Sequence, residues 1–379
     1  MLKKLSLAAL IAMGSMSVAS ATPLTEAIKG VDLSGMIRVR FYNEDPENGN
    51  KFNRWRTSSD FKFTIPVSEE LKVVYKLGVE GNAYTDDDQF TNVAKTKFDP
   101  SPAENLVFLK YANNGLGVIL GKIPVATSIT GKGHGEAHGA GAIATFKASD
   151  NLTVAGAWVN AIEMVDAVPG STTVAGVVKN GVPNDIYVLA AIFNVDMVSG
   201  NVWYYKATDA VDYIWTVSAD VKPINGVKLH ADYAKGELEA DNDAHTYYNV
   251  SASYAANGLS ALVGYADSND KGTLVVLDND SPVAYVIPTA NHYSIANKLD
   301  TTALYAKVGY NIDNKTNVYV AYQTQNDKTA ADNDLKEYTV GAKYKYNKKL
   351  GFHVYYDVAD FDAANADNNE FRFEAKYTF

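Results

Sequence analysis

A chain of 379 residues without cysteine cannot be held together by disulfides, and a formal charge of −10 leaves it without the concentrated basic surface that nucleic-acid binding requires. Tyrosine is abundant, at 25 against 4 Trp and 14 Phe, which suits strands and oil–water boundaries where the ring sits in oil and the hydroxyl in water. No linker-like break in composition divides the chain, so one large architecture is expected.

The first element is MLKKLSLAALIAMGSMSVASA, with Lys3 and Lys4 ahead of an apolar run from Leu5 to Met13 and the small residues Ala19-Ser20-Ala21. This pattern predicts an export leader over 1–21, cut after Ala21, and a single domain over 22–379. The leader's run is too short to span a bilayer, and no later run reaches the roughly 18 apolar residues a helical span needs.

From there the chain alternates apolar and polar residues in segments of about ten, separated by turn residues. The early segments are 31–42, 53–66, 70–82, 104–113, 115–122, 140–149, 151–160, 185–195 and 199–207. The later ones are 210–222, 226–236, 245–256, 258–268, 300–311, 316–325, 335–346, 350–360 and 370–379, which makes 18 predicted strands. In the second, Trp55, Phe61, Phe63 and Ile65 take one parity and Arg54, Arg56, Asp60 and Lys62 the other. The last, EFRFEAKYTF, sets Phe371, Phe373, Tyr377 and Phe379 against Arg372, Glu374 and Lys376.

The connections alternate as well. Tight turns such as Asn113-Asn114-Gly115, Ser149-Asp150 and Ala256-Asn257-Gly258 close one end, while most links at the other end are long and polar: 43–52, 83–103, 123–139, 161–184, 237–244, 269–299, 326–334 and 361–369. A transmembrane antiparallel β-barrel predicts that asymmetry, with short periplasmic turns and long extracellular loops; a soluble sandwich or propeller does not. In lipid the sheet must close, because an open edge leaves backbone groups without partners. At 18 strands the interior is too wide for side chains alone to fill, which leaves an aqueous lumen.

The start TPLTEAIKGVDLSGMIRVRF, the Tyr- and Asn-rich strands and the aromatic terminal strand ending in Phe379 resemble the Campylobacter-type major outer membrane porin family, over the whole of 22–379. The resemblance implies an 18-stranded, general-porin-like barrel that assembles as a homotrimer, passes small hydrophilic solutes and ions, and folds a loop into its pore. It implies an assembly signal in the last strand, carried here by Phe371, Phe373, Tyr377 and Phe379. No cofactor is required, although some members bind calcium near the constriction. Lipid, lipopolysaccharide and the assembly machinery are the expected partners in the bacterial outer membrane.

The third long link, from Ile123 to Gly141, is the constriction loop by position, with Lys132, His134, Glu136 and His138 as its charged and titratable residues. Opposite it the resemblance implies a basic wall, and Arg38, Arg40, Arg54, Arg56, Lys62, Lys72 and Lys76 all fall on the polar parity of the first three strands. His134 and His138 flank Glu136, but the order H-G-E-A-H is not the zincin H-E-x-x-H, and the surrounding glycines disfavour helix, so polar lining is the expected role. Asp267 to Gly272, DSNDKG, departs from a calcium loop where Lys271 stands in a ligand position, and is read as solvated outer loop.

There is no G-x-S-x-G, P-loop, dinucleotide fingerprint or zinc-binding Cys pattern, and six scattered histidines form no recognisable triad, so no enzyme is expected. The lumen parity is net basic, so the loops must be strongly acidic for the chain to reach −10. An acidic mouth over a basic wall, together with the family resemblance, predicts a passive diffusion channel of weak cation selectivity. The alternatives are a substrate-specific channel guiding anionic solutes along the wall, and a surface adhesin or structural barrel.

Overall fold

The computed structural model describes residues 30–48, 51–84, 101–130, 137–162, 178–179, 182–183, 185–239, 241–273, 287, 289, 295, 298–329, 334–362 and 367–379. The expected leader over 1–21 lies outside them.

The first nine elements are β1 (Asp32–Pro46), β2 (Phe52–Pro66), β3 (Leu71–Tyr84), β4 (Ser101–Asn113), β5 (Leu116–Pro124), β6 (His138–Ser149), β7 (Leu152–Ile162), β8 (Val178–Lys179) and β9 (Val182–Pro183). Then come β10 (Ile186–Val195), β11 (Val198–Ala207), β12 (Val211–Val221), β13 (Val227–Leu238), β14 (Asp241–Ala256) and β15 (Leu259–Ser268). The chain finishes with β16 (Thr301–Asn311), β17 (Thr316–Asp327), β18 (Leu335–Lys345), β19 (Leu350–Phe361) and β20 (Asn368–Thr378). Eighteen of these form one sheet, and each matches a predicted segment to within a few residues. The short hairpin β8–β9 is additional, inside the link 161–184 that the sequence pattern leaves as loop.

Consecutive sheet strands pair antiparallel, β7 passes directly to β10, and β1 pairs with β20 from Met36↔Thr378 to Pro46↔Asn368. The sheet is therefore a closed ring without an edge, as a hydrocarbon environment demands. Turn residues supply the backbone that tight hairpins need: Asn114–Gly115 and Asn257–Gly258 hold φ of 46° and 82°, and 51° and 83°. Positive φ at both central positions matches the right-handed strand twist. At another short turn Asp313 accepts the amide hydrogens of Lys315 and Thr316, each at 2.7 Å.

Period-two alternation places two different belts on the wall. Val308, Val320, Val340, Tyr356 and Phe371 oppose one another in register across five neighbouring strands, and all are exposed on the outside of the ring. One residue along, Ala321, Thr339, Asp357, Glu370 and Glu44 make the matching inner row. A slip of one residue would carry those carboxylates into lipid, so the register is strongly fixed.

The interior is not an empty cylinder. Val125 to Thr130, the start of the third long link, turn inward, and Ser128 meets the wall at β11 and β12. Val125, Ile129, Val159, Ile186, Tyr205, Ile214 and Tyr247 form one buried apolar cluster with other residues of β5 to β16. Ile287 and Ile295 join it, at 1% and 0% exposure, so the link 269–299 is not wholly a solvated outer loop. Its beginning stays at the rim, where the Asn269 amide donates to the Ala244 carbonyl at 2.6 Å and accepts from Thr246 at 3.1 Å.

Candidate pore wall and constriction

The strands that carry the basic residues are neighbours in the ring: β20, β1, β2 and β3. Register then decides which residues meet. Tyr42 opposes Arg54 on one side and Arg372 on the other, Arg40 opposes Arg56 and Glu374, and Arg38 opposes Ser58 and Lys376. Five guanidinium groups thus converge at mid-height on the inner face. Tyr42, at 4% exposure, lies beneath three of them: the Cζ atoms of Arg40, Arg54 and Arg372 stand 5.7, 4.4 and 4.9 Å from its ring centroid. An aromatic face attracts a cation through its quadrupole, so the ring helps hold like charges that would otherwise repel.

The wall is not a bare basic ladder. Arg54 pairs with Glu44 at 3.0 Å, Arg56 with Glu80, and Arg372 with Glu374 at 3.3 Å. Parity reading of single strands collects the cations but does not reveal these pairs, which follow only from the cross-strand register. The same closure brings Arg372 of the last strand into the cluster.

Lys62, Lys72 and Lys76 are on the expected inner face but lie nearer the periplasmic turns than the arginines do, with Lys62 and Lys76 directly opposed. They form a separate group from the arginine cluster. A further cationic group was not singled out by the sequence patterns: the Lys307 and Lys343 ammonium nitrogens lie 4.3 and 5.8 Å from the Tyr319 ring centroid, and the Tyr319 hydroxyl meets His353 Nε2 at 2.8 Å.

Half-way round the ring from β1 stands β12, and the inward-turning link packs there. The Ser128 backbone N–H donates to the Tyr205 hydroxyl at 3.1 Å, while the Ser128 hydroxyl shares hydrogen bonds with Tyr205 at 2.7 Å and Thr216 at 2.5 Å. The Thr130 hydroxyl donates to the Val125 carbonyl at 2.5 Å, closing the segment on itself. Of the four residues expected on the constriction loop, Lys132, His134 and Glu136 lie outside the described residues. His138 heads β6 in register with Pro124 and is buried at 5% exposure, so it belongs to the base of the loop.

Near the turn that joins β12 and β13 the same side carries a charged group of another kind. His230 sits between two carboxylates, with Nδ1 2.8 Å from Asp220 and Nε2 2.7 Å from Asp232, and Lys228 reaches Asp220 at 3.1 Å. These carboxylates lie close to the turn that joins β12 and β13, engaged by His230 and Lys228. Nothing in the sequence pattern flags them, because Asp220 and Asp232 lie on separate strands.

For the closing strand, Phe371, Phe373 and Tyr377 are on the outer parity, in contact with aromatic neighbours: Phe41 meets Phe371 at 6.4 Å and Phe352 meets Phe373 at 6.1 Å between ring centroids. Phe379 lies 6.0 Å from Phe61 and 5.9 Å from Tyr377. The rim stretch Asp267–Gly272 separates its oxygens: Asp267 accepts the Tyr265 hydroxyl at 3.1 Å, Asn269 holds the backbone of β14, and Lys271 pairs with Asp243 at 2.5 Å.

The family model of the Campylobacter major outer membrane protein matches residues 1–379. No curated protein matches the sequence. Among solved structures, the chain is similar in fold to Pseudomonas aeruginosa OccK5 (OpdH), with 12% identity and a TM-score of 0.70 over 93% of this chain and 99% of that one. Acinetobacter baumannii OccAB4 gives 13% and 0.71 over 92% and 98%, and Pseudomonas aeruginosa OccK9 (OpdG) 15% and 0.69 over 93% and 99%.

Proposed function

The chain belongs to the Campylobacter major outer membrane protein family, a porin channel of the outer membrane and not an enzyme, and from that premise we propose that it is a weakly cation-selective pore for passive diffusion of small hydrophilic solutes and ions. The observation that carries this reading is the one-sided filling of the closed ring. Ser128 and the apolar cluster occupy the side of β11 and β12, so the hydrated path runs against the charged arc of β20, β1, β2 and β3. Charge on that arc is partly cancelled by Glu44, Glu80 and Glu374, while the whole chain carries −10. A partly neutralised wall inside a net acidic protein favours cations weakly, over a reach of about 8–10 Å before salt screens it.

The reading includes residues 1–21 as export leader, a homotrimer in the membrane, contacts with lipid and lipopolysaccharide, and recognition of the last strand by the assembly machinery. It requires no cofactor. Planar-bilayer recording of the refolded protein tests it: conductance steps that close in threes, and a reversal potential on the cation side in a salt gradient, are expected. Firm anion selectivity would overturn the selectivity, single-level closure the trimer, and absence of steps the diffusion role.

A further inference from the structure

His230 is held at both ring nitrogens by carboxylates. Asp220 stands opposite it in the β12–β13 register, with Oδ1 2.8 Å from Nδ1, and Asp232 lies two residues along β13 on the same inner face, with Oδ2 2.7 Å from Nε2. The chain of contacts continues on both sides. Lys228 Nζ stands 3.1 Å from Asp220, the Asn249 amide of β14 donates to Asp232 at 3.4 Å, and the Tyr305 hydroxyl of β16 donates to Asn249 Oδ1 at 2.6 Å. Tyr305 reaches that far because its ring lies over Gly264 of the intervening strand, where a Cβ would stand 2.2 Å from Cζ.

The directions of these bonds fix a proton. An ionised carboxylate only accepts, and a neutral imidazole has one N–H and one lone pair, so a neutral ring would point its lone pair at a carboxylate oxygen. Every contact is satisfied only when both ring nitrogens carry hydrogen. Lys228 and His230 then balance Asp220 and Asp232, and loss of the ring proton leaves the group one unit negative with one of its two bonds broken. Among the described residues His230 is the sole ion-pair partner of Asp232, so that carboxylate has no second cation to neutralise it. Ser251, opposite His230 on β14, adds no charge.

We infer that His230, clasped between Asp220 and Asp232, is a proton-controlled selectivity site of the pore, neutral while the ring holds its extra proton and attractive to cations once that proton is lost. The site rests on the channel reading above. It adds a determinant of selectivity on a different arc of the wall from the arginines, and one whose charge varies with pH.

The test is the reversal potential of single channels in a KCl gradient from about pH 5 to about pH 9, a range that brackets histidine titration. In the native channel the cation-to-anion permeability ratio should rise about twofold in one step as pH increases, the effect of one unit charge at about 8 Å in salt water. His230→Gln, which is uncharged, should give the high-pH ratio throughout, and His230→Arg, which is always charged, the low-pH ratio throughout. Asp220→Asn should move the step to lower pH, because one fewer carboxylate favours the charged ring. Folding of each variant is verified by heat-modifiable migration. Nitrogen-15 NMR of histidine-labelled, detergent-solubilised barrel gives a readout independent of conductance: the signal lost in His230→Gln should be that of a doubly protonated ring at about pH 7. A neutral ring there, or the native pH step persisting in both His230 variants, would overturn the site and leave the channel intact; no conductance steps in the native protein would overturn the channel reading itself.

Discussion

Gly35 and Phe379 exchange both backbone hydrogen bonds, at 3.0 Å from the Gly35 amide and 3.1 Å in return, so the terminal residue fastens the first strand. A Cβ at Gly35 would stand 2.0 Å from the Asp60 carbonyl oxygen and 3.1 Å from Cζ of the Phe379 ring. Only glycine lets the first strand lie this close to the Asp60 backbone of β2 while it also meets the terminal ring. Gly35→Val should therefore destabilise the barrel by about 1–3 kcal/mol, read as a lower urea midpoint of the refolded protein. Deleting Phe379 removes the two seam bonds and the aromatic contacts with Phe61 and Tyr377; surface levels should fall while the conductance of assembled channels stays unchanged.

Ser128 spends its amide and hydroxyl on Tyr205 and Thr216, and it is the polar anchor between the inward segment and the wall. Ser128→Ala should cost about 0.5–1.5 kcal/mol per hydrogen bond lost. Tyr205→Phe removes one of those bonds, Ser128 Oγ to the Tyr205 hydroxyl, together with the bond from the Ser128 amide, so the double variant should cost less than the sum of the single ones. Both should increase open-channel current noise, since the segment then has fewer attachments. Unchanged noise with lowered stability would limit Ser128 to a structural role.

The strand pattern was legible because each inner and outer residue obeys a period of two that a bilayer enforces, and the turns carry residues with few other uses, such as Asn114–Gly115. The same logic placed Arg38, Arg40, Arg54 and Arg56 on the inner face. What stayed hidden depends on distance along the chain. Arg54 finds Glu44 only through the β1–β2 register, Arg372 joins Tyr42 only when the last strand meets the first, and Ser128 reaches Thr216 across the lumen. Ile287 and Ile295 are short on period and long on burial, so a polar link conceals them.

Val320 occupies the centre of the outer belt, 56% exposed between Val308 and Val340. Val320→Lys should destabilise the barrel by about 2–4 kcal/mol in a bilayer, because its ammonium group would face hydrocarbon. Lys343, on the inner face of the next strand, is a matched control: Lys343→Gln should change stability by less than about 0.5 kcal/mol and alter only conduction. Equal losses from both substitutions would contradict the assignment of faces. The measurement is unfolding in lipid vesicles, where the two environments differ most.

Glu44 and Arg54 meet at 3.0 Å with both side chains mostly screened from water, and Glu44 also stands opposite Glu370 in the register. Two carboxylates side by side oppose folding, so removing one charge offsets part of the loss of the ion pair. Glu44→Gln should accordingly change stability little, yet leave the Arg54 charge unmatched beside Tyr42 and the other guanidiniums. The reversal potential in a KCl gradient should then move toward the anion side. Arg54→Gln should move it the other way, and the double variant should return close to the native value, since the pair contributes no net charge. A double variant that keeps the full shift of either single one would mean that the two residues act on permeating ions separately, and the wall would have to be treated as independent charges.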